Sequence, residues 1–138
     1  MALKIEVSNL NKKRKIFHKD IKKVALAVLK KFGKKSVSLD ITFVNDGMIK
    51  KLNKKYMGKP HPTDVLAFGL AGTPLVGDIY ISSDTAKRNS RVYGTGFAWE
   101  VILYTIHGVL HLMGMTDKTK KERIRIRKME TKILKFIK

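Results

Sequence analysis

The sequence contains no cysteine and few acidic residues. Its 138 residues include 30 Lys and Arg but only 11 Asp and Glu, which gives a formal net charge of +19. Without cysteine there can be no disulfide framework, thiolate metal ligand or cysteine nucleophile, so any metal must be held by His and carboxylates. The lack of cysteine is also compatible with a reducing compartment, and we expect a cytoplasmic protein.

Long hydrophobic runs are missing as well. The most apolar stretch, residues 97–106, is about half a bilayer span and contains Glu100. It therefore predicts a buried helix, and no membrane anchor. The first nine residues alternate in polarity, so we expect no signal peptide. A hydrophobic content of 43% is sufficient for one folded domain over residues 1–138.

The excess of basic residues points to an anionic partner. The sequence pI is about 10.2, and such a surface attracts phosphate at long range. Nucleic acid is the first expectation. An anionic membrane surface and a simple bias in composition remain as alternatives.

Hydrophobic periodicity predicts both strands and helices. Alternating patterns typical of strands cover residues 3–7, 36–44, 65–68 and 78–82, whereas helical spacing covers 20–32, 46–56, 84–93, 97–113 and a last segment from about 119 to the C-terminus. Asp20, Asp46 and Asp84 are expected N-caps, and Thr119 with Glu122 forms a capping box. We expect a single α+β (α/β-like) domain with a mixed sheet of about four strands and surrounding helices.

A pair of histidines near the end of the central helix predicts a metal site. His107 and His111 are four residues apart and so share one helix face, and Gly114 allows the chain to turn and bring Asp117 in as a third ligand. Two His and one carboxylate leave coordination positions open, as in catalytic sites. The alternative is a chance pairing of two ordinary histidines.

Two neighbouring positions refine this hypothesis. Glu100 lies seven residues before His107 on the same face, where it could orient the imidazole through a hydrogen bond or simply pair near the helix start. The residue after His107 is Gly108, whereas the helical motif of metalloproteases has Glu there as general base. A protease is therefore disfavoured.

Four segments of the sequence match the motifs of a known family, in the same order. The chain has His-Gly-Val-Leu-His-Leu-Met-Gly-Met-Thr-Asp over 107–117, preceded by Leu-Asn-Lys-Lys-Tyr over 52–56, Pro-Thr-Asp-Val-Leu-Ala-Phe over 62–68 and Gly-Asp-Ile over 77–79. Through these segments the sequence resembles the YbeY family of endoribonucleases and rRNA maturation factors, whose pattern near the C-terminus reads H-G-x-L-H-L-x-G-Y-D-H.

The resemblance implies a mixed sheet with surrounding helices and one divalent metal ion, a zinc-type ion, on three ligands. It also implies hydrolysis of single-stranded RNA, with ribosomal RNA and the small ribosomal subunit as partners. The expected role is a metal-dependent endoribonuclease in 16S rRNA 3′ end maturation and ribosome quality control. The oligomeric state is left open.

Two departures from the family pattern bear on activity. Asp117 replaces the last His of the motif, and Met57 replaces the Arg after Tyr56, a cation that could hold a phosphate. A non-catalytic RNA-binding protein of ribosome biogenesis with a structural metal is therefore the alternative function. Lys120, Arg123 and Arg127 in the last helix are candidate RNA contacts, or else a solvated face.

Overall fold

The computed structural model describes residues 2–70 and 74–137. Within them the chain forms four strands and five helices, in the order β1 (Leu3–Asn9), α1 (His18–Lys31), β2 (Val37–Val44), α2 (Asp46–Met57), β3 (Val65–Leu70), β4 (Leu75–Ser82), α3 (Ser83–Tyr93), α4 (Phe97–Leu112) and α5 (Lys120–Ile137). The predicted α+β class is confirmed.

The four strands form one mixed sheet in the order β1-β2-β4-β3. β1, β2 and β4 are parallel, and β3 pairs antiparallel with β4. The alternation seen in the sequence is the reason: in β2, for example, Val37, Leu39, Ile41 and Phe43 are buried on one face.

The main core lies on the face that carries α1 and α4. Val28 and Leu29 of α1 pack with Ile79 of β4 and Val109 of α4 in this core. A smaller cluster lies on the opposite face, where Ile49 of α2 packs against the sheet.

Glycines set the distance between α4 and the sheet. A Cβ at Gly108 would meet the Cγ2 of Ile79 at 2.9 Å and the Cγ2 of Val65 at 3.1 Å. One turn later, Leu112 lies against Gly69 and Gly77, which are paired across β3 and β4. Because these three positions have no side chain, the His-bearing part of α4 lies directly on the sheet.

Most helix and strand boundaries fall within a few residues of the predicted ones. β3 extends to residue 70 and β4 begins at 75, three residues before the predicted start, because Leu75 and Val76 continue the pairing with β2. The capping box of α5 is confirmed, since Thr119 N donates to Glu122 Oε1 at 2.9 Å and Glu122 N donates to Thr119 Oγ1 at 3.1 Å.

Three predicted N-caps are wrong. α1 begins at His18, with Phe17 at its N-cap and Asp20 in its first turn. Asn45 caps α2 through Met48 N, and Ser82 caps α3 through Thr85 N. Asp46 and Asp84 instead lie in the first turns, where a carboxylate is also favoured by the helix dipole.

The described helices also bear on the membrane question. None of those in residues 2–70 and 74–137 has both the length and the apolarity that crossing a bilayer requires.

Candidate metal centre and the adjoining cavity

The two histidines and the aspartate named in the sequence converge at the C-terminal end of α4. His107 Nε2 and His111 Nε2 are 2.8 Å apart. Asp117 Oδ2 lies 3.5 Å from His107 Nε2 and 3.7 Å from His111 Nε2. The convergence depends on Gly114, whose φ of 95° turns the chain back after the helix.

These separations fit a single tetrahedral cation. Ligand atoms about 2.0–2.1 Å from a zinc ion are about 3.3–3.4 Å apart along the edges of a tetrahedron. The two separations to Asp117, 3.5 and 3.7 Å, are close to this value, and the two imidazole nitrogens, at 2.8 Å, would move slightly apart around an ion. Within the described residues, His107, His111 and Asp117 are the one group of three potential metal ligands that converge in this way. The Asp117 side chain is 46% exposed, so the fourth direction faces solvent.

Glu130 of α5 fixes the orientation of the first histidine. Its Oε2 lies 2.5 Å from His107 Nδ1. A carboxylate accepts, so Nδ1 carries the proton and the Nε2 lone pair is directed toward Asp117 and His111. This is the usual arrangement behind a metal-binding imidazole.

The surroundings shift the two imidazole pKa values in opposite directions. Burial lowers the pKa of His107, but the hydrogen bond and negative charge of Glu130 outweigh it and raise this pKa. Burial and the neighbouring His107 lower the pKa of His111, with Asp117 acting in the opposite sense. The carboxylates around the site therefore already favour positive charge at this position.

Glu100 does not make the hydrogen bond to His107 that the sequence suggested. Glu130 occupies His107 Nδ1, whereas Glu100 lies one turn from Tyr104, whose hydroxyl is 3.5 Å from Glu100 Oε1. The helical spacing was correct, but the packing of α5 against α4 brings a different carboxylate to the imidazole. Glu100 is 3% exposed.

A cavity of about 470 Å³ adjoins His107. It is lined by His107, Glu100, Glu130, Asp64, Arg127 and several residues of α3 and the α3–α4 turn. Asp64 also accepts a hydrogen bond from its neighbour Val65 N at 2.8 Å. His107 thus joins the centre to a cavity that is wide enough for part of a substrate.

The proposed RNA contacts on α5 lie at different distances from the centre. Arg127 lines the cavity. Arg123 Nη1 donates to the carbonyl oxygens of Asp117 and Lys118 at 3.3 and 3.2 Å, and so holds the segment that carries the third ligand. Lys120 is exposed in the first turn. Met57, at the end of α2, is 52% exposed.

Sequence reasoning missed the role of Glu130. A usable signal was present: Ile126 and Ile133 are the buried positions of α5, and Glu130 lies between them at helical spacing. A carboxylate between two buried positions of a basic helix indicates a buried partner. The identity of that partner depended on how α5 packs, which spacing alone does not give.

Comparison with known proteins agrees with this arrangement. The family model described as "Endoribonuclease YbeY" matches residues 6–138. A protein of that name from Aquifex aeolicus is 37% identical over 128 residues, which cover 89% of this chain and 85% of the relative. Another from Elusimicrobium minutum is 40% identical over 104 residues, covering 70% and 72% of the two chains.

A solved structure shares the fold. The solution structure of TM1509 from Thermotoga maritima superimposes with a TM-score of 0.64 and 27% identity, covering 94% of this chain and 88% of the other. The family match spans the sheet except for the first three residues of β1, α4 with its two histidines, and α5 with Glu130. On this evidence the chain belongs to the YbeY endoribonuclease family.

Proposed function

We propose that this protein is a metal-dependent endoribonuclease that cuts single-stranded RNA. The observation that carries the proposal is the convergence of His107 Nε2, His111 Nε2 and Asp117 Oδ2, whose separations of 2.8–3.7 Å suit one cation. The name of its relatives, endoribonuclease, supplies the reaction class.

The metal we propose is zinc. Imidazole nitrogen and carboxylate oxygen are both common zinc ligands, and three protein ligands with an open fourth position are typical of catalytic zinc. When bound, such an ion polarises a phosphoryl oxygen and makes water a better nucleophile near neutral pH. Asp117, as an anionic ligand, reduces the charge that remains at the cation.

The residues of the chain then have distinct tasks. Glu130 holds the proton on His107 Nδ1 and keeps the ring in place while substrate binds. Arg123 holds the segment carrying Asp117 through two backbone carbonyls. Arg127 is the one Lys or Arg among the described residues that line the cavity, and it suits a phosphate flanking the cut.

The charge distribution explains why a cation is needed for this substrate. Four of the acidic residues lie at the centre or line the cavity: Asp64, Glu100, Asp117 and Glu130. Carboxylates repel phosphate, whereas the chain as a whole, at a net charge of +19, attracts it. A bound divalent cation reverses the local repulsion at the point where the scissile phosphate must lie.

Cleavage of a defined RNA tests the proposal. The purified protein is assayed on a single-stranded oligonucleotide and on the same strand in a duplex, before and after metal removal and after adding back zinc. We expect cleavage of the single strand only, lost with the metal and restored by zinc. His111→Ala should abolish it, whereas His61→Ala, which removes an exposed histidine, should not.

Two other outcomes are informative. Cleavage that persists after complete metal removal contradicts the proposed chemistry. Tight RNA binding without metal-dependent cleavage favours the non-catalytic ribosome-biogenesis role. Restoring the family's arginine with Met57→Arg is then the variant to examine, since a regained phosphate contact would recover cleavage.

We further propose that the natural substrate is 16S rRNA, at the 3′ end of its precursor, in the cytoplasm. The support is the family's character as rRNA maturation factors, together with the basic surface. Transcripts that carry the precursor 3′ end, free and within purified small ribosomal subunits, should be cut at one position. Uniform cutting of unrelated single strands would contradict this narrower substrate.

A further inference from the structure

The cavity beside His107 contains a buried carboxylate with few partners. Glu100 is 3% exposed and lines this cavity. Its one side-chain hydrogen bond within residues 2–70 and 74–137 is from the Tyr104 hydroxyl, at a long 3.5 Å. That hydroxyl in turn accepts from the Asn89 amide at 2.6 Å. At least one oxygen of Glu100 has no donor from these residues.

A nearly buried carboxylate with one long hydrogen bond is unfavourable, so donors that enter the cavity would stabilise Glu100. Thr95 presents a second unmet requirement. Its Oγ1 is buried and lacks a hydrogen-bond partner within the described part of the chain, and Thr95 lines the same cavity. Since this Oγ1 has almost no accessible surface, a molecule in the cavity reaches the carboxylate of Glu100 and not the hydroxyl of Thr95.

Two aromatic side chains border the same space. Tyr93 is 70% exposed and Trp99 is 38% exposed, and both line the cavity. Exposed aromatic rings next to polar groups are typical of sites where unpaired nucleobases stack. A volume of about 470 Å³ is sufficient for a planar base with its sugar.

The pattern of donors and acceptors selects one base. Of the four RNA bases, guanine alone has two adjacent donors on its Watson–Crick edge, N1–H and the N2 amino group, with the O6 acceptor beside them. Cytosine and adenine present a donor next to an acceptor, and uracil a donor between two acceptors. A carboxylate can accept from two adjacent donors at once.

We propose that this cavity is a guanine subsite of the RNA substrate, in which Glu100 accepts from N1–H and the N2 amino group. The inference rests on the proposed RNA-cleaving function, because it specifies a base beside the phosphate that is cut. Arg127 at the cavity wall suits the phosphate of the same nucleotide. Glu100 is thus a specificity residue and does not position the metal.

Binding of mononucleotides tests the proposal without requiring cleavage. Trp99 is the single tryptophan of the chain, so its fluorescence reports on this cavity. We expect GMP to quench it with an affinity at least about tenfold tighter than AMP, with IMP weaker than GMP because it lacks the N2 amino group. The phosphate is common to all three ligands, so its contribution cancels.

Two variants test whether Glu100 causes the preference for guanine. Glu100→Gln keeps the shape but replaces an acceptor by a donor, and should bring GMP affinity down to that of AMP. Asp78→Asn makes the same change of charge at an exposed position of β4 and should leave the preference intact. Thermal unfolding of each variant verifies folding, and the comparison of GMP with IMP on the unaltered chain requires no variant.

The outcomes separate this inference from the proposed function. Equal affinities for GMP, IMP and AMP, or a preference that survives in Glu100→Gln, would overturn it even if RNA is cleaved. Because binding is measured in the presence of chelator, a guanine preference that depends on Glu100 supports the subsite even where cleavage fails.

Discussion

At the scale of single residues, the centre is organised by a chain of contacts that runs through His107. Glu130 Oε2 binds its Nδ1, and its Nε2 faces His111 and Asp117. The proton therefore lies on the side away from the cation site. A residue 23 positions along the chain thus determines whether the imidazole presents a lone pair to the metal.

Replacing Glu130 should weaken metal binding without removing a ligand. For Glu130→Gln we expect zinc affinity to fall about 10- to 100-fold, because the amide is a poorer acceptor for Nδ1–H and no longer supports the ring's basicity. Competition with a chromophoric chelator measures this. Glu6→Gln removes an exposed carboxylate of β1 as the matched control, and equal zinc affinities for the two variants would contradict the role assigned to Glu130.

Asp117 should set the pH range of activity. A neutral imidazole leaves more positive charge at the cation than a carboxylate does, so Asp117→His should move the midpoint of the pH–rate profile to lower pH. Asp117→Asn, which removes the charge but keeps an oxygen donor, should shift the midpoint in the same direction. Profiles of kcat/KM on single-stranded RNA provide the measurement, and a midpoint that stays or rises would show that the charge of Asp117 does not limit activation.

At the scale of elements, the sequence predicted the features that depend on periodicity. It failed for side-chain contacts that depend on residues far away in the chain. The sheet, the five helices and the His107–His111 pair follow from spacings of two and of three to four residues. The caps at Asp46 and Asp84 were wrong because tertiary partners recruit these carboxylates. Ser82 and Thr85 donate to Asp46 at 2.7 and 2.8 Å. The predicted contact of Glu100 with His107 failed for the same reason, because the packing of α5 brings Glu130 to that imidazole.

The close approach of α4 to the sheet gives a sharp test of packing. Gly108→Ala should destabilise the protein by about 1–3 kcal/mol, because the new Cβ would overlap Ile79 and Val65 and this outweighs the better helix propensity of alanine. Gly47→Ala, in α2, meets only Asn45 Oδ1 at 3.5 Å and should be neutral or stabilising by up to about 1 kcal/mol. Urea unfolding should give changes of opposite sign, and equal values would show that α4 can move away from the sheet at little cost.

A polar network at the start of α2 and α3 should make stability depend on acid pH. Burial raises the pKa of Asp46, but hydrogen bonds from Arg88, Ser82 and Thr85 outweigh it and lower this pKa. Burial likewise opposes the ionised form of Asp84, but hydrogen bonds from Asn11, the Asp46 backbone N–H and Arg14 lower its pKa.

A pKa that is lower in the folded state than the value of about 3.9 in the unfolded chain stabilises the protein above that value. This stabilisation is lost as the pH falls through the folded-state pKa. The double variant Asp46→Asn, Asp84→Asn should therefore be less stable near neutral pH and lose less stability between about pH 5 and pH 2. The double variant Asp20→Asn, Asp40→Asn is the control, because it changes the net charge by the same amount. Matching pH slopes for the two double variants would refute the assignment.

At the scale of the whole molecule, positive charge surrounds a centre that is locally acidic. Lysines line the outer faces of α1, α2 and α5, whereas Asp64, Glu100 and Glu130 line the cavity. RNA is therefore attracted by the surface as a whole, and its orientation at the centre depends on the cation and on the few arginines near it. Binding and chemistry should accordingly respond to different substitutions.

The salt dependence of RNA binding should separate the residues that bind RNA from those that cleave it. If phosphates bind to Lys120, Arg123 and Arg127, replacing all three by Gln should reduce the slope of log affinity against log salt by about 0.7 for each phosphate that is no longer neutralised. Replacing Lys19, Lys22 and Lys23 of α1 by Gln makes the same change in net charge on another face and should reduce the slope less.

His111→Ala should leave the slope nearly unchanged while abolishing cleavage, because the metal contributes at most one local charge to binding. Titrations of a fluorescent single strand at several salt concentrations, with metal content measured on each variant, provide the data. If the α5 and α1 variants show the same slope, the protein attracts RNA only through its net charge, and α5 is not the binding face.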